Sequence, residues 1–541
     1  MSHVVIDIET DGFDASVIHC VACIDHQNRE RVFIEPSGLS EYLSRFDLVV
    51  AHNGIQFDYP MLKKLWNISI PASKQYDTLI ASRLIQPDME KGHSLETWGI
   101  RLGFPKSPKP DDWAIFTDEM LAYCKVDVIV CSLVYQKVQE ELQNFSKESL
   151  YSEFKLQRMI NTVKNNGFYF KENDAINLLS EIEQKQDVIK AEINKVFNSR
   201  FIIMKTKIKE IPFNINSRDQ IASQLIHLGW EPKEFTPSGK AKVNEDVLDG
   251  VNIPQAKLIS NNFMLHKRAA MLKSWIKATN GDSRVRCQYH SLGAVTNRMS
   301  CSGPNLQQVP SVRKPYGEEC RKLWSCQSGN MLVGSDAQGL ELRVLAHYIN
   351  DPEYTKEVLE GDIHTTNQLA AGLSTRDEAK TFIYALCYGA GDAKLGTVVG
   401  GNAKDGAQLR ASFFAKIPAF KKFATKVISK GEKYGKLTAI DGRILKVRSS
   451  HASLNTLIQG SSAVLMKNWF MNTALDLKRR SVNAGVVAMV HDEIILECSD
   501  NLVDTVAESV KLGIRLVNQQ FNIRCSLDCD VNFGTNWKEI H

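Results

Sequence analysis

The 541-residue sequence predicts an α/β domain followed by a larger α+β region whose first part is mostly helical. Three observations carry this. The chain is too long for one compact core, so two or more domains with ample burial are expected. About the first 147 residues alternate strand-like runs with amphipathic stretches, and from about Ser149 to Thr279 long helical patterns take over.

In order along the chain, "HVVIDIET", "VIHCVACID" and "DLVVAHN" read as strands and "DEMLAYCKVDVIVCSLVYQKVQEEL" as an amphipathic helix. Asp7 and Glu9 stand two apart on the first strand, so both side chains share a face. Asp58 follows in "AHNGIQFDYP", and Asp127 lies one helical turn after Tyr123. The helical region holds "INLLSEIEQKQDVIKAEINKVF", "QIASQLIHLGW" and "QAKLISNNFMLHKRAAMLKSWIKA", separated by turns at Asn166-Gly167 and "TPSGK". Between Gln255 and Arg286 seven basic residues (Lys257, Lys267, Arg268, Lys273, Lys277, Arg284, Arg286) face one acid, Asp282. That stripe is either a solvated face or a tracker of phosphate backbone. After Gly281 strands and helices mix to the end, with no internal repeat.

A net charge of +4 is nearly neutral for this length, so a nucleic-acid partner has to be argued from local patches. The twelve cysteines are scattered. The one close pair, Cys20 and Cys23, falls on opposite faces of a strand, which argues against zinc there. With no leader-like start and no apolar run of membrane-spanning length, a soluble protein of a reducing, cytoplasmic compartment with no membrane partner is expected.

The C-terminal half carries acids where strands stop. "NMLVGSDAQGLELRVLAHY" is apolar up to Asp336, turns at Gly339 and then takes helical spacing. "VVAMVHDEIILEC" reads as a buried hairpin with His491, Asp492 and Glu493 at its tip. An acid after a strand also serves as a turn residue or helix cap. Two of them on neighbouring strand ends are what a two-magnesium site needs, since hard oxygen ligands hold hard cations roughly 3.5–4 Å apart. "STRDEAKTFIYALCYGAGD" opens on a capping-box pattern, Thr375 with Glu378, and ends at Gly389 and Gly391. Arg376, Lys380, Tyr384 and Tyr388 recur every fourth residue along it, two cations and two rings on one drifting face. Cations near a helix N-terminus suit a triphosphate, and a ring further along suits a sugar and base. A helix with exposed cations and buried tyrosines has the same spacing.

Together with "GAVTNRMSCSGPNLQQVP" (293–310), "GDIHTTNQLA" (361–370) and "SLNTLIQGSSA" (453–463), these segments resemble motifs A, B and C of the family A, polymerase-I-like DNA polymerases. The resemblance implies a right-hand fold with an α+β palm and mostly helical thumb and fingers: thumb over 148–285, palm over 286–360 and 471–541, fingers over 361–470. It implies two Mg²⁺ on Asp336 and Asp492, with Glu493 supporting the metals and His491 the primer end. Arg376, Lys380 and His364 would neutralise the triphosphate, with Tyr384 and Tyr388 completing the nucleotide pocket. Glu341 would close the space of a 2′-hydroxyl. Tyr384, where many members carry Phe, would favour dideoxynucleotides. Arg298 and Gln459, supported by Asn455, would meet the minor-groove acceptors that every correct pair offers. Asn297 departs from the family's usual Gly, and Asn tolerates positive φ.

The four N-terminal acids with the Tyr123–Asp127 spacing resemble the RNase H-like 3′–5′ exonucleases of the DnaQ type, over 1–147. That implies two more Mg²⁺ on Asp7, Glu9, Asp58 and Asp127, and Tyr123 placing the attacking water. His93 either lies near this site or packs. The domain order, with the ending "NFGTNWKEIH", is similar to the replicative polymerases of podovirus-type phages. It implies primer-template DNA, dNTPs, a helicase-primase and a single-strand-binding protein as partners of a monomer in the host cytoplasm. The segment 198–215 is too short for the thioredoxin-recruiting insertion of well-known members, so thioredoxin is not expected. Lys205, Lys207 and Lys209 there either contact duplex phosphates or protect a strand edge. A nuclease-only enzyme, a single-subunit RNA polymerase and a non-catalytic DNA-binding protein each leave part of this set unexplained.

Overall fold

The computed structural model describes residues 1–197, 200–203 and 208–541. The chain forms two compact units, one of residues 1–166, 287–307 and 333–533, the other of 167–286, 308–332 and 534–541.

The first unit opens with a five-stranded sheet of β1 (His3–Thr10), β2 (Ile18–Asp25), β3 (Glu30–Phe33), β4 (Leu48–Ala51) and β5 (Gln75–Asp77), in the order β3-β2-β1-β4-β5. β1 runs antiparallel to β2 and parallel to β4. The near-continuous apolar runs of β1, β2 and β4 follow from burial on both faces. Cys20 stands opposite Glu9 and Cys23 opposite Ile6, so strand alternation separates the two thiols as expected. The helix Asp118–Glu141 packs on β1 and β2, bringing Tyr123 and Asp127 over the strand that carries Asp7 and Glu9.

A second, four-stranded sheet in the same unit is built from β6 (Asn330–Ala337), β7 (Ala484–Val490), β8 (Glu493–Ser499) and β9 (Cys529–Gly534), in the order β7-β8-β6-β9. The β7–β8 hairpin pairs Val490 with Glu493 across a two-residue turn of His491 and Asp492. The helix Ser453–Arg479, buried nearly all round, packs on the helices Leu340–Ile349 and Val503–Gln520 and is anchored by Trp469 Nε1 donating to the Val510 carbonyl at 2.9 Å. Its weak amphipathicity is that of a core helix.

The helix Lys147–Asn166 belongs with this unit. Glu153 explains why. Its buried carboxylate receives Arg443 at 2.6 Å and Lys467 at 2.7 Å, and such a charge is tolerated only when paired. Gln157 adds bonds to the Tyr289 carbonyl and the Ser291 amide.

In the second unit the helices Glu172–Asn194 and Pro254–Ala278 pack on each other, over an aromatic core of Phe168, Phe170, Trp275, Trp324 and Trp537. The basic stripe is partly neutralised, because Lys267 pairs with Glu245 and Lys273 with Glu183 at 2.7 Å, acids outside the window in which the charges were counted. The strands Arg200–Ile203 and Ile208–Ile211 pair antiparallel; Lys205, Lys207 and the Lys209 side chain lie outside the described residues. Among the described residues no helix is long and apolar enough to cross a membrane.

Candidate active sites

Asp336 is the penultimate residue of β6, half-buried, and the chain then turns at Gly339 (φ +53) into the helix Leu340–Ile349. Asp492 occupies the β7–β8 turn next to His491, whose φ of +55 is left-handed and unusual for a non-glycine residue. The Ala337 amide donates to the Asp492 carbonyl at 3.0 Å, so the residue after Asp336 is hydrogen-bonded to Asp492 itself. The tip of the hairpin is thereby fixed beside the end of β6. Glu493, first residue of β8, is buried behind it.

A cavity beside these acids is lined by Arg298, Leu340, Glu341, Met466, His491 and Asp492. The Glu341 carboxylate is held on both oxygens: Arg298 forms an ion pair with one, and the Tyr388 hydroxyl donates to the other at 2.9 Å. Arg298 leaves a tight turn whose corner is Asn297 at φ +61, fully buried, the left-handed conformation expected for Asn in a Gly position. Gln459 lies three, four and seven residues before the cavity-lining Ser462, Ala463 and Met466, hence on the same helical face. Asn455 is one turn earlier, half-buried, its Oδ1 enclosed with no hydrogen-bond partner.

The helix Arg376–Cys387 begins with the predicted capping box, the Glu378 amide donating to Thr375 Oγ1 at 3.2 Å and the Thr375 amide to Glu378 Oε2 at 2.9 Å. It ends before Gly389, where φ is +77 and an added Cβ would stand 1.8 Å from the His451 carbonyl oxygen, so only glycine fits. Tyr384 is half-buried; burial first, then the charges of Glu341 and Asp492, push its phenol up to about 12, which puts the ring near both acids. Its ring centroid is 6.2 Å from that of Tyr388. His364 is kept below its usual range by burial and by the charges of Arg376 and Lys380, so three cationic or potentially cationic groups gather at this helix start. Arg376 is paired, however, with Asp362 at 2.8 Å, and Asp362 also caps the helix Ile363–Ala371 that carries His364. Within "GDIHTTNQLA" Asp362 carries no role in the motif, although its place one residue before a helix start marks it as a cap.

The second cluster lies on the N-terminal sheet. Asp7 and Glu9 project from one face of β1, Asp58 starts the helix Asp58–Trp66, and Asp127 reaches in from the helix Asp118–Glu141. Burial raises the carboxyl of Asp7, and the charges of Glu9, Asp127 and Asp58 raise it further. Burial, with neighbouring charges behind it, pushes Glu9 up to about 8 and Asp58 up to about 7. Among the described residues, ligand atoms of Asp7, Glu9 and Cys124 lie within 4.8 Å of one another, and Asp127 Oδ1 is buried with no hydrogen-bond partner. A crowded set of carboxylate oxygens with one orphaned acceptor fits a hard divalent cation. At the hairpin, Asp336 and Asp492, on backbone segments joined by the Ala337–Asp492 hydrogen bond, offer the same donor type.

Two residues here escaped the sequence reading. Asp77 is fully buried and accepts from the Asn53, Ile55, Leu79 and Ile80 amides, which makes it a structural cap. Lys106 reaches the acids from a proline-rich loop, and nothing in "FPKSPKP" announces it. His93 bonds Ser82 at 2.6 Å, with Trp98 donating to the same hydroxyl, so its polar partner belongs to the packing layer.

The family model for DNA polymerase family A matches residues 178–539, and the chain belongs to that family. It is 29% identical to the DNA-directed DNA polymerase of Enterobacteria phage T3, over 99% of each chain, and 29% identical to that of Escherichia phage T7, over 99% of this chain and all of the relative. The latter alignment runs over 703 residues, so the relative carries segments with no counterpart in these 541. Among solved structures, the POL domain of Pol1 from M. smegmatis, complexed with DNA primer-template and dNTP, superposes with a TM-score of 0.84 over all of this chain and 96% of that one, at 17% identity.

Proposed function

We propose that this family A DNA polymerase extends primer 3′ ends with deoxynucleotides at the hairpin site and edits with a 3′–5′ exonuclease at the N-terminal cluster. The observation that carries the first half is the Ala337–Asp492 backbone bond, which makes neighbours of two strand-end acids far apart in sequence. Divalent metal ions are general to the family; bound as pairs of Mg²⁺, they would acidify the attacking hydroxyl or water and neutralise phosphate charge. Asp336 and Asp492 would hold one pair, with Glu493 behind them, and Asp7, Glu9, Asp58 and Asp127 the other.

The chain's own side chains supply the rest. Arg376, Lys380 and His364 receive the triphosphate, for which Arg376 exchanges Asp362 for a phosphate oxygen. Tyr384 packs beside the incoming sugar, and Tyr388 steadies Glu341 against the space of a 2′-hydroxyl. Arg298, with Gln459 and Asn455, meets the minor-groove acceptors of the terminal pair, which requires Arg298 to loosen its hold on Glu341. His491 meets the primer end, and Tyr123 orients the water of the editing reaction. Editing adds a second discrimination that pairing differences of a few kcal/mol cannot give in one step.

The same reading assigns 1–147 to the exonuclease, and thumb, palm and fingers to the rest. It makes the enzyme a monomeric phage replicase in the host cytoplasm, working with a helicase-primase and a single-strand-binding protein and without thioredoxin. Extension of a 5′-labelled primer with Mg²⁺, with and without dNTPs, tests both halves in one gel. Longer products with dNTPs and shortened primer without them are expected; a primer unchanged in both lanes refutes the reading. A large gain in product length on adding thioredoxin refutes that clause.

A further inference from the structure

Lys106 belongs to none of the motifs that identify either site. It lies in the loop between the helices Leu95–Arg101 and Asp118–Glu141, and its side chain is only 12% exposed. Its ammonium forms an ion pair with Asp127 Oδ2, donates to the Tyr123 hydroxyl at 2.6 Å and stands 4.2 Å from the centroid of the Tyr123 ring. One cation thus engages the last acid of the cluster and the tyrosine one turn before it. The pairing uses a single oxygen of Asp127 and leaves Oδ1 buried without a hydrogen-bond partner.

Four carboxylates gathered on one buried face repel one another, and a side chain lining the solvent cleft of Glu96, Lys106, Ser107, Lys109 and Tyr123 has another place to go. We infer that Lys106 is the resident counter-ion of the N-terminal acid cluster, holding Asp127 in place without metal and giving way when a divalent cation takes that carboxylate. The inference rests on reading the cluster as a divalent-metal nuclease site. Two charges outbid one for the same carboxylate. The displaced ammonium keeps its seat over the Tyr123 ring, so entry of the ion need not disorder the tyrosine.

A competing counter-ion makes metal binding weaker than the acids alone would allow. The test uses the full chain with Asp492→Asn in every arm, so that the hairpin site contributes little to binding. Mn²⁺ affinity is measured by calorimetric titration, and melting temperature with EDTA and with Mn²⁺. For Lys106→Met the expected results are a lower melting temperature in EDTA, about tenfold tighter Mn²⁺ binding and a larger rise on adding the ion. Lys106→Arg, which keeps the charge, restores the EDTA melting temperature. Unchanged or weaker Mn²⁺ binding in Lys106→Met overturns the counter-ion assignment. Absence of Mn²⁺ binding and of 3′ degradation in the Asp492→Asn parent overturns the nuclease reading itself. A further control keeps Asp492 and introduces Lys106→Met alone, which should leave primer extension intact.

Discussion

At the N-terminal sheet four acids are crowded on a buried face, with a lysine wedged against one of them; at the C-terminal hairpin two half-buried acids stand at strand ends and the cations wait on another helix. The difference lies in where the positive charge is kept. In the first cluster it is internal, a lysine already seated on one of the acids, so the cluster can be assembled before any metal ion arrives to take its place. In the second, Arg376 is parked on Asp362 and Arg298 on Glu341, both within reach of exchange. Under the proposed editing role such a site meets one terminal nucleotide after another with its charge already balanced. Under the proposed synthetic role a triphosphate enters at each step and needs cations that change partners, and the Arg376–Asp362 pair, exposed by roughly half, costs little to break.

The largest effect that separates the two regions is loss of one activity alone. Asp492→Asn or Asp336→Asn should lower primer extension by about 10³-fold while 3′ degradation persists, and Asp7→Asn or Asp58→Asn should do the reverse. A labelled-primer gel reads both; loss of the two activities together in any one variant would mean that the sites are not independent.

Next in size is the pH response without metal. Glu9 is pushed up to about 8 and Asp58 up to about 7, above their values in an unfolded chain. A carboxyl raised on folding favours the native state below its unfolded value, near 4, and that contribution is lost as pH climbs through 7 to 8. In EDTA the melting temperature should therefore fall between pH 6 and 8.5, and saturating Mg²⁺ should flatten the slope. A melting temperature that rises over that interval in EDTA would contradict the crowding.

Smaller effects sharpen the picture of the hairpin site. Glu341→Ala should relax discrimination against ribonucleotides by about tenfold, and Tyr388→Phe, which removes only one of the two holds on Glu341, by less. Tyr384→Phe should reduce dideoxynucleotide incorporation by about tenfold to a hundredfold, because the phenol no longer replaces the missing 3′-hydroxyl. Competitive single-nucleotide incorporation measures all three.

Much of this was legible in the sequence because it is local. The apolar runs flanking His491 and Asp492 fix a hairpin, the Thr375–Glu378 pattern fixes a helix start, and the spacing of Asp7 and Glu9 fixes a shared face. What escaped depends on segments meeting across the fold. Lys106 precedes Asp127 by a loop whose path no periodicity describes, Asp362 reads as a helix cap until Arg376 is brought to it, and Glu153 is one acid in a polar helix until Arg443 and Lys467 close on it. For the same reason no local pattern announces that the second unit gathers 167–286 with the distant 308–332 and 534–541.

The smallest predicted effect concerns the basic stripe of the helix Pro254–Ala278, where counting charges in one window overstated what DNA would meet. Lys267 and Lys273 are already paired with Glu245 and Glu183, while Lys257 and Lys277 are exposed. If the stripe tracks phosphates, Lys257→Ala or Lys277→Ala should each reduce the slope of log Kd against log salt for duplex primer-template by about one. Lys273→Ala, which also frees Glu183, should weaken binding by less, because the lysine must first leave its acid. Equal slopes for all three and for the unmodified chain would make this helix a solvated face, and DNA affinity would then have to come from elsewhere in the protein.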